Sequence, residues 1–167
     1  GDFDRAVSLK PLTACVFYNR GLARKAAGDP DGAIADFDQA LQLKPEMIQA
    51  YNNRGNARRD KGDIAGAIAD FDQAIKLNPR LAEAYNNRGN ARLAEGNLDT
   101  AISDYSQAIK LNPNYAVAYL NRGLARQAQG DQANAASDFD QSLKLNPALR
   151  QLVEQRFEES RSKAANR

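Results

Sequence analysis

Between positions 82 and 115, apolar residues recur among polar ones with the spacing expected of two consecutive α-helices. Ala84 and Ala91 share one face of the first predicted helix, and Ala101 and Tyr105 lie on one stripe of the second. Apolar positions three, four or seven residues apart are typical of amphipathic α-helices. The pattern therefore predicts a helical hairpin, which a proline then ends.

The same pattern occurs four times, each time over 34 residues. A fixed period in this range indicates stacked helical units rather than one globular core. We therefore divide this part of the chain into repeat 1 (14–47), repeat 2 (48–81), repeat 3 (82–115) and repeat 4 (116–149).

The two ends of the chain are predicted to be incomplete repeats. Residues 1–13 read as the second helix of a partial repeat, because four of their positions match repeat 1 one period later. The matches pair Phe3, Ala6, Leu9 and Pro11 with Phe37, Ala40, Leu43 and Pro45. Residues 150–167 are expected to form a C-terminal capping helix and a frayed tail. There, Phe157 replaces the glycine of the repeats and would block a second helix.

Each repeat carries signals for the turn between its two helices. A glycine that can adopt the left-handed conformation is followed at once by Asp or Asn, which are favoured N-caps. The glycines are Gly28, Gly62, Gly96 and Gly130, and the caps are Asp29, Asp63, Asn97 and Asp131.

The repeats resemble the tetratricopeptide repeat (TPR) family, whose pattern is W-x2-L-G-x2-Y, then A-x3-F, then P. Arginines replace the Leu and the second aromatic of this pattern in all four repeats. The matching residues are Phe17, Tyr51, Tyr85 and Tyr119; Gly21, Gly55, Gly89 and Gly123; Ala33, Ala67, Ala101 and Ala135; Phe37, Phe71, Tyr105 and Phe139; and Pro45, Pro79, Pro113 and Pro147.

This resemblance implies an all-α fold, a right-handed α-solenoid (superhelix) of TPR helix-turn-helix repeats. It also implies a non-catalytic protein–protein interaction module, a scaffold or adaptor that binds a peptide segment of a partner in its concave groove. We therefore expect a protein or peptide partner, no enzyme activity and no cofactor.

The composition of the chain argues against several classes of function. The chain has 23 Lys and Arg residues against 21 Asp and Glu, so no strong field points to nucleic acid or a membrane surface. Cys15 is the only cysteine and there is no histidine, which excludes zinc sites and Ser/His or Cys/His nucleophiles within this chain. No apolar run is long enough to span a membrane. The chain begins with Gly1 rather than Met, so a removed targeting segment and the localisation stay open.

Two arginines recur on the first helix of every repeat, for example Arg88 and Arg92 in repeat 3. Such a stripe could bind a polyanion. However, an aspartate recurs in equal register on the second helix, as Asp104 does in repeat 3. Because an unpaired charge near the helix–helix interface would be costly, the pattern favours structural ion pairs over polyanion binding.

One further face of the first helices has no evident structural role and corresponds to the groove of the TPR family. Asparagine is a poor helix former, and its amide can hold a peptide backbone. The candidate groove residues are Tyr18, Leu22, Asn52, Asn53, Asn56, Asn86, Asn87, Asn90, Tyr115, Leu120 and Leu124. Two alternatives stay open: the recurring Asn19, Asn53, Asn87 and Asn121 could instead bond backbone at the repeat junctions, and Tyr18 and Tyr115 could serve packing.

This groove is predicted to be polar at its centre and apolar at its ends. It suits a peptide with apolar anchors at both ends and an uncharged middle.

Some TPR proteins bind acidic C-terminal tails of heat-shock chaperones through a clamp of Lys, Asn and Arg. Asn53 stands at the central Asn position of this clamp. The other clamp positions, which are basic or Asn in the family, are occupied here by Tyr18, Leu22, Glu83 and Asn87. The clamp is incomplete, so we expect no binding of such tails.

Two alternative functions stay open. The chain could self-assemble as a homo-oligomer through its end repeats, whose groove residues are largely apolar. It could also be the regulatory or targeting arm of a larger protein.

Overall fold

The computed structural model describes the backbone of residues 2–155 and the side chains of residues 13–155. Within this range the chain is helical and contains no strand, which confirms the all-α prediction. The helices are α1 (Asp2–Ala26), α2 (Pro30–Leu43), α3 (Ile48–Asp60), α4 (Ile64–Leu77), α5 (Ala82–Ala94), α6 (Leu98–Leu111), α7 (Ala116–Gln129) and α8 (Gln132–Leu145). A 3-10 turn, Pro147–Leu149, and a helical segment, 150–155, follow α8.

The helices form two compact units. Unit 1 comprises Gly1–Arg80 and contains α1 to α4, and unit 2 comprises Leu81–Arg167 and contains α5 to α8. In each unit, every helix packs against the next one along the chain. Each unit is therefore built from two helical hairpins with nearest-neighbour interfaces, as expected of a repeat protein.

The two helices of each hairpin approach closely where a glycine faces an aromatic ring. A methyl group added at Gly89 would lie 2.6 Å from Cε1 of Tyr105. The equivalent distance from Gly55 to the ring of Phe71 is 2.7 Å. Because carbon atoms do not approach this closely, these positions require glycine.

The turns between the paired helices follow the sequence prediction. The glycine before each second helix has a positive φ, +79° at Gly28 for example. The residue after it caps the second helix, as Asp63 does by accepting a hydrogen bond from the amide of Gly66 at 3.0 Å. The left-handed turn and the side-chain cap therefore recur as predicted.

The N-terminal segment differs from the prediction. Residues 1–13 were expected to form the separate second helix of a partial repeat, whereas helix α1 runs without a break from Asp2 to Ala26. Proline removes one backbone hydrogen bond and kinks a helix without always ending it. The Ala, Leu, Lys and Arg residues on both sides of Pro11 are good helix formers. The expected frayed tail and Phe157 lie outside the described residues.

Candidate functional site

The recurring arginines and the buried aspartates form a hydrogen-bonded network inside each hairpin. Arg88 donates to both carboxylate oxygens of Asp104, at 2.9 Å from Nε and 2.6 Å from Nη2. Arg92 donates to the same carboxylate at 2.9 Å. Asp104 is only 3% exposed. The arrangement recurs in the other repeats, with Arg20 and Arg24 on Asp36, Arg54 and Arg58 on Asp70, and Arg122 and Arg126 on Asp138.

This network confirms the ion-pair interpretation of the arginines. A charge-assisted, bidentate pair satisfies both the guanidinium and the buried carboxylate. In repeat 1 the hydrogen bonds from Arg20 hold the pKa of Asp36 below its usual value. Each of these arginines thus has an aspartate partner within the fold.

The same arginines also connect successive repeats within a unit. Arg54 of α3 donates to Asp38 of α2 at 2.5 Å, and Arg122 of α7 donates to the hydroxyl of Ser106 on α6 at 3.1 Å. The guanidinium of Arg54 also lies over the ring of Tyr51, at 5.4 Å from its centroid. The first helix of one repeat is therefore held to the second helix of the repeat before it.

The recurring asparagines tie first helices together. In unit 1, Nδ2 of Asn53 donates to the hydroxyl of Tyr18 and to the carbonyl of Gln49, both at 3.0 Å. In unit 2, Nδ2 of Asn121 donates to Oδ1 of Asn86 at 2.9 Å. These asparagines therefore have a structural role, and their partners are side chains of the preceding first helix as well as the backbone.

Several candidate groove residues are buried. Asn86 is 3% exposed, and Leu120 is 2% exposed and packs in a core cluster with Phe139 and Val153. Asn52 and Asn87 are also buried. The interpretation that this helix face has no structural role is wrong for these four residues, because the neighbouring first helix and the core of the hairpin use them.

The other candidates are half-buried and differ in their contacts. Tyr18 packs against Phe37 with ring centroids 5.9 Å apart, and Tyr115 packs with a core cluster of unit 2. Burial and the negative charge of Glu83 raise the pKa of Tyr115. Both tyrosines thus contribute to packing. Leu22 and Leu124 are half-buried as well.

Asn56 and Asn90 occupy the same place in repeats 2 and 3 but have different surroundings. Oδ1 of Asn90 accepts a hydrogen bond from the hydroxyl of Tyr105 at 2.9 Å. Among the described residues, the side chain of Asn56 makes no hydrogen bond. Repeat 2 has Phe71 where repeat 3 has Tyr105, so Asn56 has no hydroxyl to accept from.

Two features of the site were missed from the sequence. Lys61 pairs with Asp31 and Gln129 with Asp99, which joins consecutive repeats within each unit. Both pairs are separated by 30 residues. In addition, Oε1 of Gln127 is buried without a hydrogen bond among the described residues.

Together, the paired helices, the glycine–aromatic contacts and the repeated bonds between neighbours define an all-α helical repeat protein of the solenoid class. The chain belongs to the tetratricopeptide repeat family. Two models described as tetratricopeptide repeat match residues 14–47 and 116–149, and one described as TPR repeat matches residues 55–94 and 89–130. A comparison with the curated proteins found no match.

Solved structures with the same fold include a crystal structure of MamA, with a TM-score of 0.76, 25% identity and coverage of 89% of this chain and 87% of that one. The first TPR of Spaghetti (RPAP3), bound to the HSP90 peptide SRMEEVD, has a TM-score of 0.70, 28% identity and coverage of 72% and 95%. TTC0263, a thermophilic TPR protein in Thermus thermophilus, has a TM-score of 0.78, 23% identity and coverage of 87% and 82%.

The family and these neighbours support assignment of the chain as a protein-interaction module. The TPR family is a non-catalytic interaction fold. Within the described residues, no helix is both long and apolar enough to cross a membrane.

Proposed function

We propose that the chain binds a peptide segment of a partner protein through the open faces of its first helices. The observation that carries this proposal is the state of Asn56, which is half-buried and makes no hydrogen bond among residues 13–155. The recurring arginines, aspartates and asparagines around it serve the fold. An amide offers two donors and an acceptor, which match the carbonyl and N–H groups of a peptide backbone.

In unit 1 the open face is mainly polar. Gln49, Asn56 and Asp60 lie along one side of α3 at spacings of seven and four residues, and Gln49 and Asp60 are exposed. Leu22 of α1 adds a half-buried apolar side chain. This face suits an extended peptide segment whose backbone forms hydrogen bonds with side-chain amides.

In unit 2 the open face is mainly apolar. Val117, Leu124 and Ala128 lie along one side of α7, with Val117 39% exposed. This face suits an apolar anchor of the ligand, since anchors in pockets supply much of the binding energy of an interface. A ligand of this face therefore carries at least one apolar side chain.

The test is a selection of peptides from a displayed library on the wild-type chain. The counter-selection uses the double variant Asn56→Ala with Val117→Glu, both of which alter open positions. Gln73→Ala on the exposed side of α4 is the matched control. Under the proposal, enriched sequences bind the control and lose the double variant. Sequences that bind the double variant as well as wild type would contradict it.

A further inference from the structure

The first helix of repeat 1 has a face that is left uncovered. Val16 is 60% exposed, whereas the equivalent Ala50 and Ala118 are fully buried. Asn19 and Ala23 are exposed as well. At 3.6 residues per turn, positions 16, 19, 20 and 23 span about 100° of the helix. These four positions form what we call the uncovered face of α1.

The arginine on this face has an unused donor. Arg20 binds Asp36 through Nε at 2.9 Å and Nη2 at 2.6 Å. Arg54 binds Asp70 through the same two atoms and donates from its Nη1 to Asp38 of α2. Among the residues whose side chains are described, Nη1 of Arg20 has no acceptor. It therefore points to the place where a covering helix would present one.

Unit 2 shows how a second helix covers the equivalent face. Ile109 of α6 lies in one core cluster with Ala118 of α7, and Ile102 packs against the cluster that contains Ala125. Between them, Ser106 accepts from Nη1 of the α7 arginine at 3.1 Å. The covering helix therefore runs antiparallel to the first helix. It presents an apolar residue, an acceptor four residues later and a second apolar residue three residues after that, which we call the covering stripe.

Unit 1 repeats this arrangement between α2 and α3. The covering stripe of α2 consists of Ile34, Asp38 and Leu41. Leu41 lies in one core cluster with Ala50, and Asp38 accepts from Arg54 at 2.5 Å. The acceptor is thus a carboxylate in one unit and a hydroxyl in the other, and the apolar residues are Ile or Leu in both.

The chain has no free covering stripe of its own for this face. The stripes of α2 and α6 already cover α3 and α7, and Asp72 of α4 already interacts with another group. Helix α8 has Ala136 at the first apolar place, and its Leu143 packs against the cluster that contains Val153. The residues before the face continue α1 as one helix, Asp2–Ala26, and do not fold over it. These facts favour another protein as the source of the covering helix.

We propose that the uncovered face of α1 is a docking site for an amphipathic helix of a partner protein. That helix carries an Ile or Leu, a carboxylate four residues later and a second Ile or Leu three residues after the carboxylate. It lies antiparallel to α1, with its apolar residues on Ala23 and Val16. Its carboxylate accepts from Nη1 of Arg20, which makes a charge-assisted hydrogen bond. This site is separate from the open faces to which we assign peptide binding.

A stapled helical peptide tests the site. The probe has the sequence of residues 30–43, PDGAIADFDQALQL, and it contains the covering stripe of α2. Fluorescence anisotropy should show saturable binding to the chain, and Val16→Glu should raise the dissociation constant by about tenfold or more. The circular dichroism of Val16→Glu should stay unchanged, because Val16 is exposed.

The matched control on the chain is Val117→Glu, which alters the open face of unit 2 at a residue that is 39% exposed. This variant should bind the probe as wild type does. Two results overturn the proposal. One is the absence of saturation, and the other is an equal loss of affinity in both variants, which would place the probe elsewhere on the chain.

Two altered probes test the pairing with Arg20. Asp38→Ala in the probe should raise the dissociation constant by about fivefold, because the acceptor for Nη1 is lost. Asp36→Ala removes an equal charge about 200° away around the probe helix and should change the constant by roughly twofold at most. Equal effects of the two substitutions overturn the proposed contact.

The mass of the chain alone tests the choice of a partner protein over a second copy. Light scattering over a concentration series should stay at the 18.3 kDa of one chain. A dimer that Val16→Glu dissociates would mean that a second copy covers the face, and it would overturn the proposal.

Discussion

Asn90 and Tyr105 are joined by a hydrogen bond of 2.9 Å between the amide oxygen and the phenol hydroxyl. Tyr105 is fully buried, so Asn90 supplies this hydroxyl with an acceptor inside the fold. Repeat 2 has Asn56 at the place of Asn90 and Phe71 at the place of Tyr105. The phenol oxygen of Tyr105 therefore gives Asn90 a hydrogen-bond partner that Phe71 cannot give to Asn56.

This relationship predicts opposite effects of two equivalent substitutions. Asn90→Ala should lower the free energy of unfolding by about 1 kcal/mol, because it removes one hydrogen bond to the buried Tyr105 hydroxyl. Asn56→Ala should leave it unchanged or raise it by a few tenths of a kcal/mol, since Ala is the better helix former. Urea denaturation followed by circular dichroism measures both. Equal losses in the two variants would show that the hydrogen bond to Tyr105 has no role.

The buried carboxylate of Asp104 predicts a large effect of removing its bidentate partner. Arg88→Ala should lower the free energy of unfolding by about 2 kcal/mol or more, because a buried charge then loses its bidentate hydrogen bonds. Lys110→Ala is the control on the exposed side of α6 and should stay within about 0.5 kcal/mol. The midpoints of urea unfolding give the comparison. If Arg88→Ala unfolds at the same urea concentration as the control, the Arg88–Asp104 pair does not stabilise the fold.

The lowered pKa of Asp36 predicts how the stability of repeat 1 depends on pH. A carboxylate whose pKa is lower in the folded state stabilises the fold above its unfolded pKa, about 3.9, and this contribution is lost as the pH falls through the folded value. The difference in stability between wild type and Asp36→Asn should therefore be largest near neutral pH and shrink below about pH 4. A difference that grows on acidification would contradict this assignment.

The fold was predictable because every repeat encodes it again. The period, the glycine turns, the caps and the prolines all recur, so a single ambiguous position could not change the result. The Arg88–Asp104 pair was predictable for the same reason, because both charges recur in register. The N-terminal segment was different, since residues 1–13 match a second helix in sequence but continue into α1 without a break.

Less of the candidate site than of the fold could be predicted from the sequence. A helical wheel places Asn86 and Asn90 on one face but does not show how closely the neighbouring first helix packs there. As a result, Asn86 was taken as open although it is 3% exposed and accepts from Asn121. The distinction between Asn56 and Asn90 was visible in principle, because Phe71 and Tyr105 differ in the printed sequence.

The incomplete clamp predicts weak or absent binding of an acidic chaperone tail. The RPAP3 neighbour was solved with the HSP90 peptide SRMEEVD. In this chain the one matching clamp residue, Asn53, already donates to Tyr18 and Gln49. Glu83 stands at a basic place of the clamp and would repel an acidic peptide. Calorimetry with that peptide should show no saturation at concentrations up to about 1 mM, equivalent to a binding free energy weaker than about 4 kcal/mol.

The most direct measurement of the central claim is a calorimetric titration of a library-selected peptide into wild type, Asn56→Ala and Gln73→Ala. If the open face of α3 binds the peptide backbone, Asn56→Ala should raise the dissociation constant by roughly tenfold, about 1.4 kcal/mol, with unchanged thermal stability. Gln73→Ala, on the exposed side of α4, should bind as wild type does. The contradicting result is that Asn56→Ala binds the peptide as tightly as wild type while Gln73→Ala no longer binds it. The binding surface would then lie on the second helices rather than on the first.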